Sequence, residues 1–410
     1  MGRGYLTTGS ELPVRAPSRI LIFLLGSLGD TIVALPSLHL IARRFPQSER
    51  RVLNHSPVSA KAASMTELLH GSGLIHGYFE FSSDGGKRDR ARELMRAVRR
   101  WAPDLVVHLH EPRGRGPALR DWIFFRLCGV HRIIGIPLAR EMQEYLPKNG
   151  LYEHRAEQLA RRLECLGDAA LNDRASWSIE LSSEEHALAA NALAPLSSSA
   201  GILAMSIGAK DDVKDWGAER WASLLQIAGT QLRHWGVVAL GASVERDATD
   251  KVLAAWPGPR INLCGKTTVR GSAALIARCD AFLGHDSGPM HLAASVGTPC
   301  VAVFSARSKP GIWYPYGAGH RVLRRHPPCE NCELSVCVER AKQCITDIRV
   351  DEVAAAVIDT ALQRHPQRPR GEPAPAMPIS NKLPNGQPTE SCGRADCPTA
   401  KKAVPQSRTA

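Results

Sequence analysis

From Gly201 to Ser305 short apolar runs alternate with helical stretches, and this alternation constrains the fold more than any other feature of the chain. The runs GILAMSI, GVVALG, RINLCG, AFLGH and CVAVFS have strand character, and helical patterns separate them at 216–232, 244–255, 271–278 and 289–296. Strand and helix in strict turn predict a parallel sheet with helices on both faces. A similar unit stands near the beginning. There ILIFLL passes through a glycine turn, Gly26 to Gly29, into a helix predicted over 31–44 that stops at Phe45-Pro46. A basic amphipathic helix over 87–101, the strand DLVVHLH and a short apolar run at 132–136 continue the first half. A polar helical stretch over 153–166 joins it to the second. The reading is an α/β chain of two lobes, with a ligand cleft between the carboxyl ends of their strands.

At 410 residues the chain exceeds what one core usually serves. The expected division is an extension at 1–18, a first domain at 19–180, a second at 181–362, and a tail at 363–410. Pro, Gln, Ser, Lys and Arg dominate that tail without periodicity, as in disordered segments. No apolar run reaches the roughly 20 residues of a membrane span, and residues 1–18 carry no signal core, so export is not expected. Singly placed cysteines such as Cys128, Cys264 and Cys300 fit a reducing, cytoplasmic setting. The 52 Lys+Arg against 40 Asp+Glu leave +12, which favours anionic partners. Only 5% of residues are aromatic, and no aromatic-interleaved basic motif and no zinc-finger spacing that ends in paired histidines occurs, which argues against nucleic acid.

Four stretches carry chemistry. In GSLGDTIVALPSL, Asp30 opens a helix directly after a strand, placed to face the cleft or simply to cap free amides. The glycine spacing is not GxGxxG, and no acidic ribose reader follows an obvious second strand, which weakens any nicotinamide reading. In SIGAKDDVKDWGAERW, the loop from Gly208 to Lys214 lies above a strand and near a helix N-terminus, where amides and a lysine suit phosphate oxygens. A solvated loop beside packed tryptophans is the plainer reading. In LGASVERDATD, Glu245 sits in a turn or a first helical turn, where it serves ribose hydroxyls or the helix itself. In FLGHDSGPMHLAASVGTP, a strand delivers Asp286, Ser287 and Gly288 make the turn, and Pro289 starts a helix containing His291. Asp286 suits sugar hydroxyls and the helix N-terminus suits a diphosphate. His291 suits a phosphate, or a satisfied place in the core.

Together GSLGDTIVALPSL, the K-x-W of Lys214 to Trp216 with Trp221, NLCGKTT and DSGPMHLAASVGTP resemble glycosyltransferase family 9, the lipopolysaccharide heptosyltransferases, over roughly residues 19 to 362. The resemblance implies a GT-B fold of two Rossmann-like domains, acceptor on the first and nucleotide sugar on the second, with inverting transfer that requires no metal or other cofactor. It places the general base on Asp30, the phosphate-binding lysine on Lys214, and the nucleotide-binding acid on Glu245. Donor contacts fall on Asp286, Ser287, Gly288 and His291, with Gly208 in the donor loop. The implied donor is ADP-heptose and the implied acceptor the lipid-anchored inner core of lipopolysaccharide. Another nucleotide sugar, or a catalytically silent nucleotide-sugar-binding protein of the same fold, are the alternatives.

Two further clusters stand outside these motifs. Cys329, Cys332, Cys337 and Cys344 form C-x2-C-x4-C-x6-C, a spacing that suits a structural zinc or simply free thiols. Arginines at 88–100, with Arg113, Arg115 and Arg120 in EPRGRGPALRDW, suit acidic acceptor groups or the anionic inner leaflet, or else form a solvated face. The corresponding expectation is peripheral contact with the cytoplasmic face of the inner membrane.

Overall fold

The computed structural model describes residues 16–55, 65–81 and 86–363. The tail expected to be disordered and most of the N-terminal extension, with Cys392 and Cys397, lie outside the described residues.

The first lobe is built from β1 (Arg19–Phe23), α1 (Leu28–Val33), α2 (Leu35–Arg44), β2 (Glu49–His55), α3 (Met65–Leu69), β3 (Gly77–Phe81), α4 (Lys87–Trp101), β4 (Leu105–His108), α5 (Arg115–Leu127) and β5 (Ile133–Ile134). Its strands order as β3-β2-β1-β4-β5, and the pairings are parallel. A short helix α6 (Arg140–Gln143), a two-residue-per-strand hairpin β6 (Pro147–Lys148) and β7 (Leu151–Tyr152), and α7 (Arg155–Arg162) lead out of it. The helix expected over 31–44 is two helices instead. The chain leaves α1 at Ala34 and restarts with Pro36 in the first turn of α2, where a missing N–H costs nothing.

After α8 (Ser183–Ala192) the second lobe runs β8 (Ile202–Ser206), α9 (Ala218–Gln231), β9 (Gly236–Ala239), α10 (Arg246–Leu253), β10 (Arg260–Asn262), α11 (Val269–Ile276), β11 (Ala281–His285), α12 (Gly288–Ser295), β12 (Cys300–Phe304), β13 (Arg321–Arg324), α13 (Gln343–Thr346) and α14 (Val350–Leu362). The sheet order is β10-β9-β8-β11-β12-β13, again parallel. Every residue of β11 and β12 is buried, which is why these strands read as unbroken apolar runs. Strands β2 and β13 carry charged residues and Gly77, Tyr78 and Phe79 of β3 are only half-buried, so these strands carry no such signature.

In each sheet the strand order reverses once at the centre, between β1 and β4 and between β8 and β11. Such a switch point leaves a crevice beyond the carboxyl ends of the strands. The two crevices face each other because the lobes pack directly. Gly288 at the start of α12 lies against Leu28 of α1, and the largest apolar cluster includes Ile22, Leu28, Met290 and Ala293 from both lobes. Arg270 on α11 is 8% exposed and donates to the carbonyls of Leu68, Ile179 and Glu180. Beside it, the Val269 amide donates to Glu67 Oε1 on α3 at 2.7 Å.

Candidate active site

A cleft of about 660 Å³ lies between the lobes, and Asp30, Gly208, Lys214, Glu245, Asp286, Ser287, Gly288 and His291 all line it. Residues separated by more than 250 positions meet there because each follows a strand that ends at the same interface.

On the first lobe, Ser27 is the residue that caps α1, and Asp30 is the third residue of the helix, not its cap. Asp30 Oδ2 accepts from the Ser27 amide at 2.7 Å and the Ser27 hydroxyl at 2.9 Å. Oδ1 has no hydrogen-bond partner among the described residues. Gly26 and Gly29 are required by close approach: a Cβ on Gly26 would meet Asp30 Oδ2 at 2.7 Å, and one on Gly29 would meet His291 Cδ2 at 3.0 Å.

On the second lobe, Lys214 Nζ pairs with Asp286 Oδ2 at 2.7 Å. The loop that carries Lys214 is held from below. Trp216 donates its backbone N–H to His285 Nε2 at 3.0 Å, which makes Nδ1 the protonated nitrogen, facing the Gly208 carbonyl. Trp216 and Trp221 are buried edge to face, 4.8 Å between centroids, so they pack and position while Lys214 reaches the cleft. Glu245 accepts the Ala242 amide at 2.8 Å and fills a notch formed by two glycines. A Cβ on Gly208 would lie 2.0 Å from Glu245 Oε1, and one on Gly241 2.5 Å from Oε2. Glu245 thus caps its turn and lines the cleft at once.

The start of α12 offers fewer amides than its sequence promises. Pro289 has no N–H, and the amides of Met290 and His291 bond the Ser287 carbonyl, so the Gly288 amide is the helical one left for a ligand. His291 is buried, as in the second of its two readings, although it also lines the cleft. Burial pushes its imidazole down to about 4, against the raising influence of Asp286, so at neutral pH it is an uncharged hydrogen-bonding group.

The cleft holds residues that the motifs did not indicate. Glu111 follows β4 as Asp30 follows β1, flanking the same crevice, and Tyr145 donates its hydroxyl to Glu111 Oε1 at 3.3 Å. Burial raises the Glu111 carboxyl above its ordinary range, and the charge of Asp30 adds to this while Arg155 opposes it. Arg307, just past β12, lines the cleft and pairs with Asp211 at 2.9 Å. Both positions were legible as charged residues three places beyond a buried strand. Arg113, Arg115 and Arg120 are not among the lining residues. Arg113 and Arg120 bond the buried Asp121, and Arg115 is exposed on α5. Cys329, Cys332, Cys337 and Cys344 surround one small cavity of about 20 Å³ away from the cleft. Among the described residues no group of three or more His, Cys, Asp or Glu is placed to hold a metal ion.

Residues 155–343 match Glycosyltransferase family 9 (heptosyltransferase). This segment belongs to glycosyltransferase family 9. Lipooligosaccharide heptosyltransferase 2 of Campylobacter jejuni subsp. jejuni serotype O:2 is 32% identical over 94 residues, 22% of this chain and 29% of that protein. The match thus spans under a third of the relative's length. Among solved structures, a glycosyl transferase family 9 protein from Veillonella parvula superposes with a TM-score of 0.66 at 21% identity, covering 86% of this chain and all of that one. Escherichia coli ADP-heptose lps heptosyltransferase II gives 0.57 at 20%, covering 84% and 99%. At such identities the likeness is one of fold, and the fold is GT-B. The family 9 segment contains Lys214, Glu245 and the Asp286 to His291 stretch. Asp30 and Glu111 precede it and reach the cleft through the first lobe.

Proposed function

We propose that this chain is a glycosyltransferase that moves heptose from ADP-heptose to the lipid-anchored inner core of lipopolysaccharide, by single inverting displacement without a metal. The observation that carries this reading is the placement of Asp30 and of the Lys214–Asp286 pair on opposite walls of one cleft, each at the switch point of its own sheet. An acceptor hydroxyl beside Asp30 attacks the anomeric carbon and gives its proton to the carboxylate as the new C–O bond forms. The bond from that carbon to the diphosphate breaks, and its electron pair leaves with ADP. Lys214, the Gly288 amide and Arg307 stabilise the departing charge, and neutral His291 adds a hydrogen bond. Asp286 and Glu245 take donor hydroxyls. The family segment and the names of the relatives support the choice of heptose, and the acceptor implies work at the cytoplasmic face of the inner membrane.

The test combines the purified chain with a panel of nucleotide sugars and truncated core acceptors, measuring nucleoside diphosphate release and the anomeric configuration of the product. ADP release that needs both substrates, with inversion, is expected. Nucleotide binding without release on any acceptor would instead indicate a silent binding protein, and retention of configuration would refute single displacement.

A further inference from the structure

Helix α5 places large apolar side chains in water. Leu119, Ile123 and Leu127 are 49%, 44% and 54% exposed. Their i, i+4, i+8 spacing puts them in one stripe along the outer face, while Ala118, Asp121 and Phe125 face inward. At about 100° per residue, Arg115 and Arg126 border the stripe on one side and Arg120 on the other. All three arginines are exposed, and the Arg126 guanidinium lies 5.4 Å over the Trp122 ring. The end of α4 is tied to the same face, because Arg99 donates twice to the Leu127 carbonyl, at 3.0 and 2.7 Å. It brings the exposed Arg96 and Arg100 with it; Arg92, further along, is paired with Asp89 at 3.5 Å. The acidic residue of α5, Asp121, is buried and bonded to His108, Arg113 and Arg120, so it offsets Arg120 in part, while Arg115 and Arg126 have no acidic partner among the described residues.

We propose that the outer face of α5, with the adjoining end of α4, is a docking surface for the anionic headgroup layer of a bilayer, into which Leu119, Ile123 and Leu127 insert. A narrow apolar stripe rimmed by cations of a single sign is what an interfacial helix presents to acidic lipid. The exposed acids of α4, Asp89 and Glu93, lie toward its opposite end, and Asp89 is already paired with Arg92, so among the described residues of α5 and the adjoining end of α4 the exposed charged side chains are basic. The position also has a consequence. Helix α5 begins four residues after Glu111, roughly 14 Å of chain at most, so a bilayer seated there adjoins the cleft. This deepens the acceptor half of the proposed function, since a lipid-anchored acceptor would then enter from the docked surface.

The experiment uses the full chain without donor or acceptor, so its outcome is separate from that of the transfer assay. Sedimentation is measured with phosphatidylcholine vesicles, with and without phosphatidylglycerol, at low and high salt. Binding to the anionic vesicles, weakened by salt, is expected. Ile123→Ser with Leu127→Ser should lower the partition by on the order of tenfold or more, from the lost methylene insertion. Arg96→Gln with Arg115→Gln should lower it by roughly tenfold or more at low salt. Both double variants should melt at the wild-type temperature, because the replaced side chains are exposed. Absence of binding to anionic vesicles, or binding that the Ile123/Leu127 variant leaves unchanged, would overturn the proposal. So would a wild-type dimer that this variant dissociates, since a second copy would then be the occupant.

Discussion

Replacing Asp30 by Asn removes one negative charge and almost no volume. The Asn carbonyl oxygen can still accept from the Ser27 amide and hydroxyl, which lie 2.7 and 2.9 Å from Oδ2. A charged acceptor is about twice as strong as a neutral one, so the variant should lose about 1 kcal/mol of folding stability. Its effect on turnover should be far larger. A positioned general base contributes about 10²–10⁴ in rate, which is about 3–5 kcal/mol of transition-state stabilisation. Because Asp30 sits on the wall opposite Lys214 and Asp286, ADP affinity should be unchanged. The expected signature is a fall in kcat with KM for the donor preserved. Steady-state ADP release, ADP titration calorimetry and urea denaturation measure the three quantities on one preparation. Ser27→Ala, which removes the hydroxyl but leaves the carboxylate, should cost much less activity. A loss in Asp30→Asn below about tenfold would fall short of the range for a base and refute its role. A parallel loss of ADP affinity would show that the two walls do not divide the work as argued.

Lys214→Met removes a charge-assisted contact worth about 1.5–3 kcal/mol; ADP affinity by calorimetry should fall roughly 10- to 100-fold, and unchanged affinity would exclude Lys214 from the phosphate site. Gly288→Ala would place a Cβ 2.9 Å from Leu28 Cδ2 and 3.0 Å from its Cβ, between the lobes. Overpacking of about 1–3 kcal/mol should appear in denaturation midpoints, and Leu28→Ala should relieve part of it in a double-mutant cycle. Acid should destabilise the chain early. Burial holds His108, His110, His285, His291 and His320 at about 4 and His154 at about 3. These folded values lie below the unfolded one of about 6.5, so only the unfolded chain takes up the protons. The stabilisation is present above pH about 6.5 and is lost as pH falls toward 4, at up to about 1.4 kcal/mol per pH unit for each histidine. Denaturation midpoints that stay flat from about pH 6.5 to 5 would contradict this.

The elements legible in advance were those buried on both faces. The apolar runs now seen as β8, β9, β11 and β12 had no other stable place, and the glycines before Asp30 and around Glu245 mark the close approaches found there. Residue types at strand ends likewise pointed to the cleft, because a parallel sheet gathers its strand ends on one edge. Local pattern could not decide what depends on neighbours distant in the chain. The split of one expected helix at Ala34, the polar strand β2 and the half-buried strand β3 beside it, and the recruitment of Glu111 and Arg307 follow from packing between segments. The charge state of His291 is of the same kind: an imidazole carries no sign of its burial in its own motif, and only the closed interface between the lobes excludes the water that would let it hold a proton.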